Sequence, residues 1–421
     1  MRKIYARPLE PHTWFDAFET PEERAFRAQI REFSWTNFEH LRDEIDAKLR
    51  CKHLMPMLGE HGLIGTLVKK ENGGEGQGLG HSVIIGQELG GVIPSLAAFR
   101  SVNGNFVVKP VEEFGTPEQI DRFVRPVMTG EWTTALAISE PNAGSDVGGI
   151  ETRAVRDGST WVINGFKHHI SGGAESDFIL VYAVTDPDAS LSTRLTAFLI
   201  PTSTPGMDAS EPEATMGVKG LSHSRVRLED VRVDDDLRLG QVGEGLRIMF
   251  FGLSAERVDI ASRALGCATR SFEEARAYAA ERHQFGKPLR SLQAVSHKIA
   301  QMRTTIDAGR LLVLRAARLY DEVLAAKGPE EASEACNEES SIAKLFCGEQ
   351  CFWVCDTAMQ VFGGLGYEQG TAVEAMFRDS RVFRFGGGTD EIQRHIIQRD
   401  EYKRLSASRE AEEPTLAPGP A

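Results

Sequence analysis

Ala137-Ile138-Ser139-Glu140-Pro141-Asn142-Ala143-Gly144-Ser145-Asp146 is the most informative stretch of this 421-residue chain. It follows an apolar run at 132–137 that reads as a strand. It then supplies a hydroxyl, a carboxylate, a rigid proline, a glycine turn and a second hydroxyl. Backbone N–H groups and hydroxyls at a strand end suit one polar, planar ligand, and Gly144 lets the backbone approach it closely.

From 132 to 238 the apolar period is two. Residues 161–167 predict a hairpin around Asn164-Gly165. Buried strands are predicted at 178–184 and 196–201, and further strands at 224–228 and 231–233, with turns at Asp157-Gly158 and Pro205-Gly206. Upstream the period is helical, with helices predicted at 22–38, 43–60 and 81–89. The glycine loop at 73–80 lacks the Lys-Ser/Thr end of a phosphate loop and does not fit G-x-G-x-x-G, so it reads as an inter-helix connection. Downstream, Val258, Ala261, Leu265, Ala268, Phe272, Ala275 and Ala279 stripe a long helix ending near Arg282. Further helices are predicted at 292–324, 340–362 and 391–405. The reading is therefore an α+β multidomain chain. A helical domain spans 1–131, an antiparallel β-barrel or sandwich 132–242, and a four-helix-bundle-like domain 243–405. A polar, Pro-rich tail at 406–421 is expected to be disordered.

The net charge of −13, from 48 basic against 61 acidic residues, argues against nucleic acid as a partner. The six cysteines are too few for a disulfide scaffold. Cys347, Cys351 and Cys355 share a helix face, but no His stands among them and Phe346, Phe352, Trp353 and Val354 are apolar. Packing thiols, not a metal site, are expected. Nothing reaches the length of a membrane span and the first residues have no apolar signal core, so a cytoplasmic protein is expected.

Several motifs now coincide. They are Arg282-His283-Gln284-Phe285-Gly286-Lys287-Pro288-Leu289 with Gln293, Gln360-Val361-Phe362-Gly363-Gly364-Leu365-Gly366-Tyr367 with Arg378-Asp379, and Gly388-Thr389-Asp390-Glu391-Ile392-Gln393. Together with 137–146 they resemble the acyl-CoA dehydrogenase family over about residues 20 to 404. The resemblance implies FAD as cofactor and an acyl-CoA thioester as substrate. It implies that Ile138, Ser139, His169 and Ser171 line the flavin ring, with His169 where the family usually has Trp, and that Ser145 lies near the cofactor or the phosphopantetheine arm. Arg282, Phe285 and Gln293 would reach the ADP part of FAD in a neighbouring subunit. Gln360, Gly363 and Gly364 would close that pocket, and Thr389 and Glu391 belong to the last cofactor motif. A homotetramer passing electrons to an electron-transferring flavoprotein is implied.

Family chemistry needs a carboxylate base in a dry pocket. Most relatives place Glu directly before the Gly-Thr of the last motif, but here that place is Gly387. Its amide would still bind the thioester carbonyl. The branch that includes isovaleryl-CoA and long-chain dehydrogenases carries the base one residue before an Arg on an earlier helix. Ser254-Ala255-Glu256-Arg257 matches that branch, so Glu256 is the expected base and Arg257 a substrate-side residue. The plain alternative is a solvent-facing helix carboxylate. Gly387 is expected to leave room, so Glu at 387 should partly rescue a Glu256→Gln variant. The other functions this pattern allows are a non-catalytic flavin- or CoA-binding subunit and an acyl-CoA oxidase. The acyl group itself is not readable.

Overall fold

Thr20 opens the first helix, α1 (Pro21–Phe38). Its hydroxyl accepts from the Glu23 amide while the Glu23 carboxylate accepts from the Thr20 amide, a reciprocal cap that satisfies two amides at the helix start. The computed structural model describes residues 18–47 and 50–412. The N-terminal segment read for a signal core and positions 413–421 of the expected tail lie outside them.

The glycine loop leads into α2 (Leu79–Gly90). Asp321 accepts from the Leu79 and Gly80 amides at 2.6 and 2.9 Å, so a carboxylate already fills the helix start and the loop is a connection, as its sequence suggests. Next comes α3 (Pro94–Ser101), from which the chain winds on through wider π turns at Val102–Val108 to Phe114. The single helix expected at 43–60 is instead two short ones, Arg42–Ala47 and Met55–Glu60. Between them the Cys51 amide donates to the Gly220 carbonyl at 2.8 Å, which binds this segment to the β domain instead of to a continuous helix.

Eight strands follow: β1 (Thr134–Ala137), β2 (Arg153–Asp157), β3 (Thr160–Ser171), β4 (Phe178–Val184), β5 (Leu195–Pro201), β6 (Met207–Pro212), β7 (His223–Asp234) and β8 (Arg238–Leu239). They form one sheet in the order β6-β7-β3-β2-β4-β5-β8, with β1 added against β4. Most pairings are antiparallel, but β1 and β2 both run parallel to β4. The expected hairpin at Asn164-Gly165 is not there. β3 runs straight through it, and the turn lies at Asp157-Gly158 between β2 and β3. Asn164-Gly165 makes a bulge against β7, where the Asn164 amide group and Asp230 exchange two hydrogen bonds of 3.0 and 2.8 Å. A Cβ on Gly165 would stand 2.3 Å from Thr152 Oγ1, so only glycine fits there.

The chain then returns to helices: α4 (Gly245–Glu281), α5 (Gln293–Lys327), α6 (Asn337–Phe362), α7 (Ala372–Ser380) and α8 (Asp390–Glu412). The last continues past Leu405, its expected end, into the stretch expected to be tail. Helices α4, α5 and α6 bury Val258, Leu265, Met302, Ile306, Val313, Ala358 and the Cys347, Cys351 and Cys355 thiols in one core. Each large apolar side chain buried there contributes about 1.5–3 kcal/mol. Among the described residues, no helix is long and apolar enough to cross a membrane.

Candidate active site

A cleft of about 1560 Å³ opens between the β domain and the helices. That volume exceeds the roughly 300–1,000 Å³ of an ordinary small-molecule site, so it has room for two ligands side by side.

The first wall is the end of β1 with the end of β3. Leu136, Ile138, Ser139, Ser145, His169 and Ser171 all line it. Glu140 fixes this wall from behind. Its carboxylate takes the Glu151 and Thr152 amides at 2.7 and 3.1 Å and the Lys167 ammonium at 2.8 Å. Lys167, fully buried, also donates to the Ile138 carbonyl at 3.1 Å. Burial pulls the Lys167 pKa down to about 8 against the opposing pull of Glu140. The Ser139 carbonyl accepts from the His168 amide, tying the signature turn to β3. His169 sits in a β3–β7 bulge at φ +58°, a backbone that L-residues rarely hold.

Glu213 gathers two imidazoles and a guanidinium behind that wall. His168 Nε2 and His169 Nδ1 each stand 2.8 Å from one of its oxygens, and Arg225 Nε donates at 3.2 Å. The two imidazoles stack at 3.9 Å. Their nitrogens and the carboxylate lie within 4.8 Å of one another, close enough for a metal ion. The guanidinium on the same carboxylate and the hydrogen-bond distances make it an ion-paired cluster instead. Nothing in the sequence pointed to Glu213, which directly follows the end of β6.

The second wall is α4 with the loop before α8. Phe250, Ser254 and Arg257 face the cleft from α4, and Gly386, Gly387, Gly388 and Thr389 face it from the loop. Lys344, wholly buried, anchors that loop through the Arg384 and Gly388 carbonyls at 3.2 and 2.7 Å. Gln393 holds the Gly387 carbonyl at 3.2 Å. Gly387 has φ +65°, and among the described residues its amide has no acceptor. Beside it, a Cβ on Gly387 would stand 2.6 Å from Ile260 Cδ1, the end of a flexible side chain, and 3.9 Å from Arg257 Cγ. Arg257 donates to Asn337 Oδ1 at 2.9 Å, and burial lowers its pKa to about 10.

Glu256 is buried but does not line the cleft. Its carboxylate turns inward, where Ser101 Oγ donates at 2.5 Å and Arg263 Nη2 at 2.6 Å. It is therefore not the solvent-facing helix residue that was the plain alternative, and it is not aimed into the cleft either. Desolvation raises its pKa, with Arg263 and Ser101 pulling the other way and the Asp259 carboxylate adding to the rise.

The remaining expected residues lie elsewhere. Arg282, Phe285, Gln293, Gln360, Gly363, Gly364 and Glu391 are exposed and line no part of the cleft. Phe285 is 89% exposed, and a Cβ on Gly363 or Gly364 would meet nothing within 4 Å.

Models of the N-terminal, middle and C-terminal domains of acyl-CoA dehydrogenase match residues 20–131, 135–231 and 243–401. The chain belongs to the acyl-CoA dehydrogenase family. Members of that family are FAD-dependent oxidoreductases, and the hydroxyl-bearing, part-apolar first wall fits the edge of a flavin ring. The probable acyl-CoA dehydrogenase YngJ of Bacillus subtilis is 33% identical over 381 residues, 90% of this chain and 98% of that protein. The caffeyl-CoA reductase-Etf complex subunit CarC of Acetobacterium woodii is 34% identical over 347 residues, 82% and 88% of the two chains. Among solved structures, the butyryl-CoA dehydrogenase of Megasphaera elsdenii superposes with a TM-score of 0.84 at 28% identity, covering 91% of this chain and 99% of that one.

Proposed function

We propose that the chain oxidises an acyl-CoA thioester between Cα and Cβ, with Glu256 as the proton acceptor. The observation that carries this is the pairing of the two walls. Ser139, His169 and Ser171 face the turn of α4 at 254–257 and the Gly387 loop across one cleft. FAD, when bound along the first wall, supplies the two-electron acceptor for the hydride leaving Cβ. The chain's own residues do the rest. The Gly387 amide donates to the thioester carbonyl, which stabilises charge developing there as Cα loses its proton. Glu256 takes that proton, and its raised pKa brings it nearer the working range of a general base. Arg257 orients the thioester from the same helix turn. The exposed patch of Arg282, Phe285, Gln293, Gln360, Gly363 and Gly364 is suited to the ADP end of a cofactor held by a second copy, within a homotetramer. CarC, by its name, works in a complex with Etf, and that supports an electron-transferring flavoprotein as the acceptor here.

The inward turn of Glu256 favours a second reading, a flavin- or CoA-binding subunit without turnover of its own. Anaerobic flavin reduction by a panel of acyl-CoA thioesters separates the two. Bleaching by the pure chain, lost by several orders of magnitude in Glu256→Gln with FAD content kept, supports dehydrogenation. No bleaching by any thioester supports the second reading. Fast reaction of the reduced flavin with oxygen would instead mark an oxidase.

A further inference from the structure

Glu256 stands at the border between the cleft and the interior. Met249, seven residues earlier on α4, lines the cleft. Ile260, four residues later, touches the place of a Cβ on Gly387. Arg263, seven residues later, is buried. Seven residues nearly close two helical turns, with a drift of about 20°, so 249, 256 and 263 form one row whose upper end faces the cleft and whose lower end faces the core. A helical Glu has two low-energy χ1 wells.

The interior side is prepared for its departure. Arg263 Nε lies 3.8 Å from Asp259 Oδ2, and that oxygen is buried without a hydrogen-bond partner. The other oxygen, Oδ1, already takes Arg100 and Ser82, each at 3.3 Å. Breaking a buried ion pair is costly chiefly because it strands one charge. Here a second carboxylate with an idle oxygen waits beside the guanidinium.

We infer that Glu256 has two seats, one on Arg263 and Ser101 and one turned into the cleft, and that Asp259 takes over Arg263 when Glu256 leaves. This rests on the reading of Glu256 as the proton acceptor. Asp259 is then a positioning residue that never meets the substrate. Ser101 is the catch on the resting seat, and its single hydrogen bond sets how readily the carboxylate is released.

The test compares structures of the FAD-loaded protein with and without a non-oxidisable acyl-CoA thioether. With the thioether bound, Glu256 and Arg263 are expected to separate beyond 4 Å and Arg263 to contact Asp259 Oδ2. A Glu256–Arg263 pair unchanged in both overturns the inference. In kinetics, Asp259→Asn keeps an acceptor for Arg100 but removes the charge awaiting Arg263, and should slow flavin reduction by at least about tenfold. Ser101→Ala should speed it even though the fold loses a hydrogen bond. Equal slowing in both variants marks a merely structural cluster and overturns the two seats. If Glu256→Gln abolishes reduction while Asp259→Asn behaves as the parent chain, the base assignment stands and the two seats fall. If Glu256→Gln reduces normally, the base assignment itself fails.

Discussion

Ile260 Cδ1, the movable end of its side chain, stands 2.6 Å from an ideal Cβ on Gly387, so a side chain at 387 must first displace it. The backbone at Gly387 is also left-handed, at φ +65°. Both facts bear on moving the base to the position most relatives use. Gly387→Glu in a Glu256→Gln background is expected to stay inactive. Adding Ile260→Ala should recover part of the flavin reduction, because it removes the clash and leaves only the backbone strain. Gly387→Ala alone should cost about 1–3 kcal/mol through strain at a left-handed residue, read as a fall in the unfolding midpoint.

The pH dependence follows from the direction of the Glu256 shift. Burial raises its pKa above 4.5 in the folded chain. The folded state then holds the proton longer than the unfolded one as pH rises from 4.5. This group's contribution to stability is full below 4.5 and is lost as pH passes through the raised value. Flavin reduction should run the opposite way, rising as the carboxylate ionises. Arg263→Gln removes an opposing pull, so the midpoint of the rate profile should move to higher pH. The same change strands a buried carboxylate and should cost about 3–5 kcal/mol. A midpoint that stays in place in that variant would reject Glu256 as the titrating group.

The Glu140–Lys167 pair is the hidden support of the first wall of the cleft. Lys167→Met leaves Glu140 buried with two amides but no cation, at a cost of about 3–5 kcal/mol. FAD retention on dialysis should fall in parallel, since Ile138 and Ser139 lose their backing. The pair also has its own pH window. Lys167 titrates near 8 when folded and near 10.5 when unfolded, so the unfolded chain binds more protons between those values. This group's contribution therefore grows as pH rises through that window and is lost as pH falls back to 8. In Lys167→Met the stability curve should lose that slope, which urea titrations at pH 8 and 10 would measure.

The first wall was legible because its residues are close in the chain and close in kind. Residues 138–145 follow an apolar run that reads as a strand, and 169–171 stand within the stretch of apolar period two, though its path through Asn164-Gly165 was not readable. The second wall was legible only through the order of motifs, and its details were not. Ser101 lies 155 positions from Glu256, and no local pattern announces that hydroxyl. Arg263 does lie on the same helix, but a step of seven reads equally as packing or pairing. Asn164-Gly165 misled for a physical reason: the dipeptide that suits a tight turn also suits a bulge, and Asp230 on the facing strand decides between them. Ile260 beside Gly387 is the same kind of case, since a missing side chain in one motif says nothing about which neighbour fills the gap.

Phe285 gives the last prediction. A phenylalanine 89% exposed at φ +53°, on the two-stranded turn His283–Pro288 between α4 and α5, buries almost nothing in its own chain. Holding it in a rare backbone conformation costs about 1–3 kcal/mol, which the single chain does not offset through packing. A second copy, seated with its cofactor against this turn and the open Gly363-Gly364 surface, would offset it. Phe285→Ser should therefore leave the unfolding midpoint of the isolated chain almost unchanged, while lowering both the assembly mass in light scattering and the FAD bound per chain. If the mass and flavin content hold while the midpoint falls, Phe285 serves its own subunit and takes no part in a shared cofactor pocket.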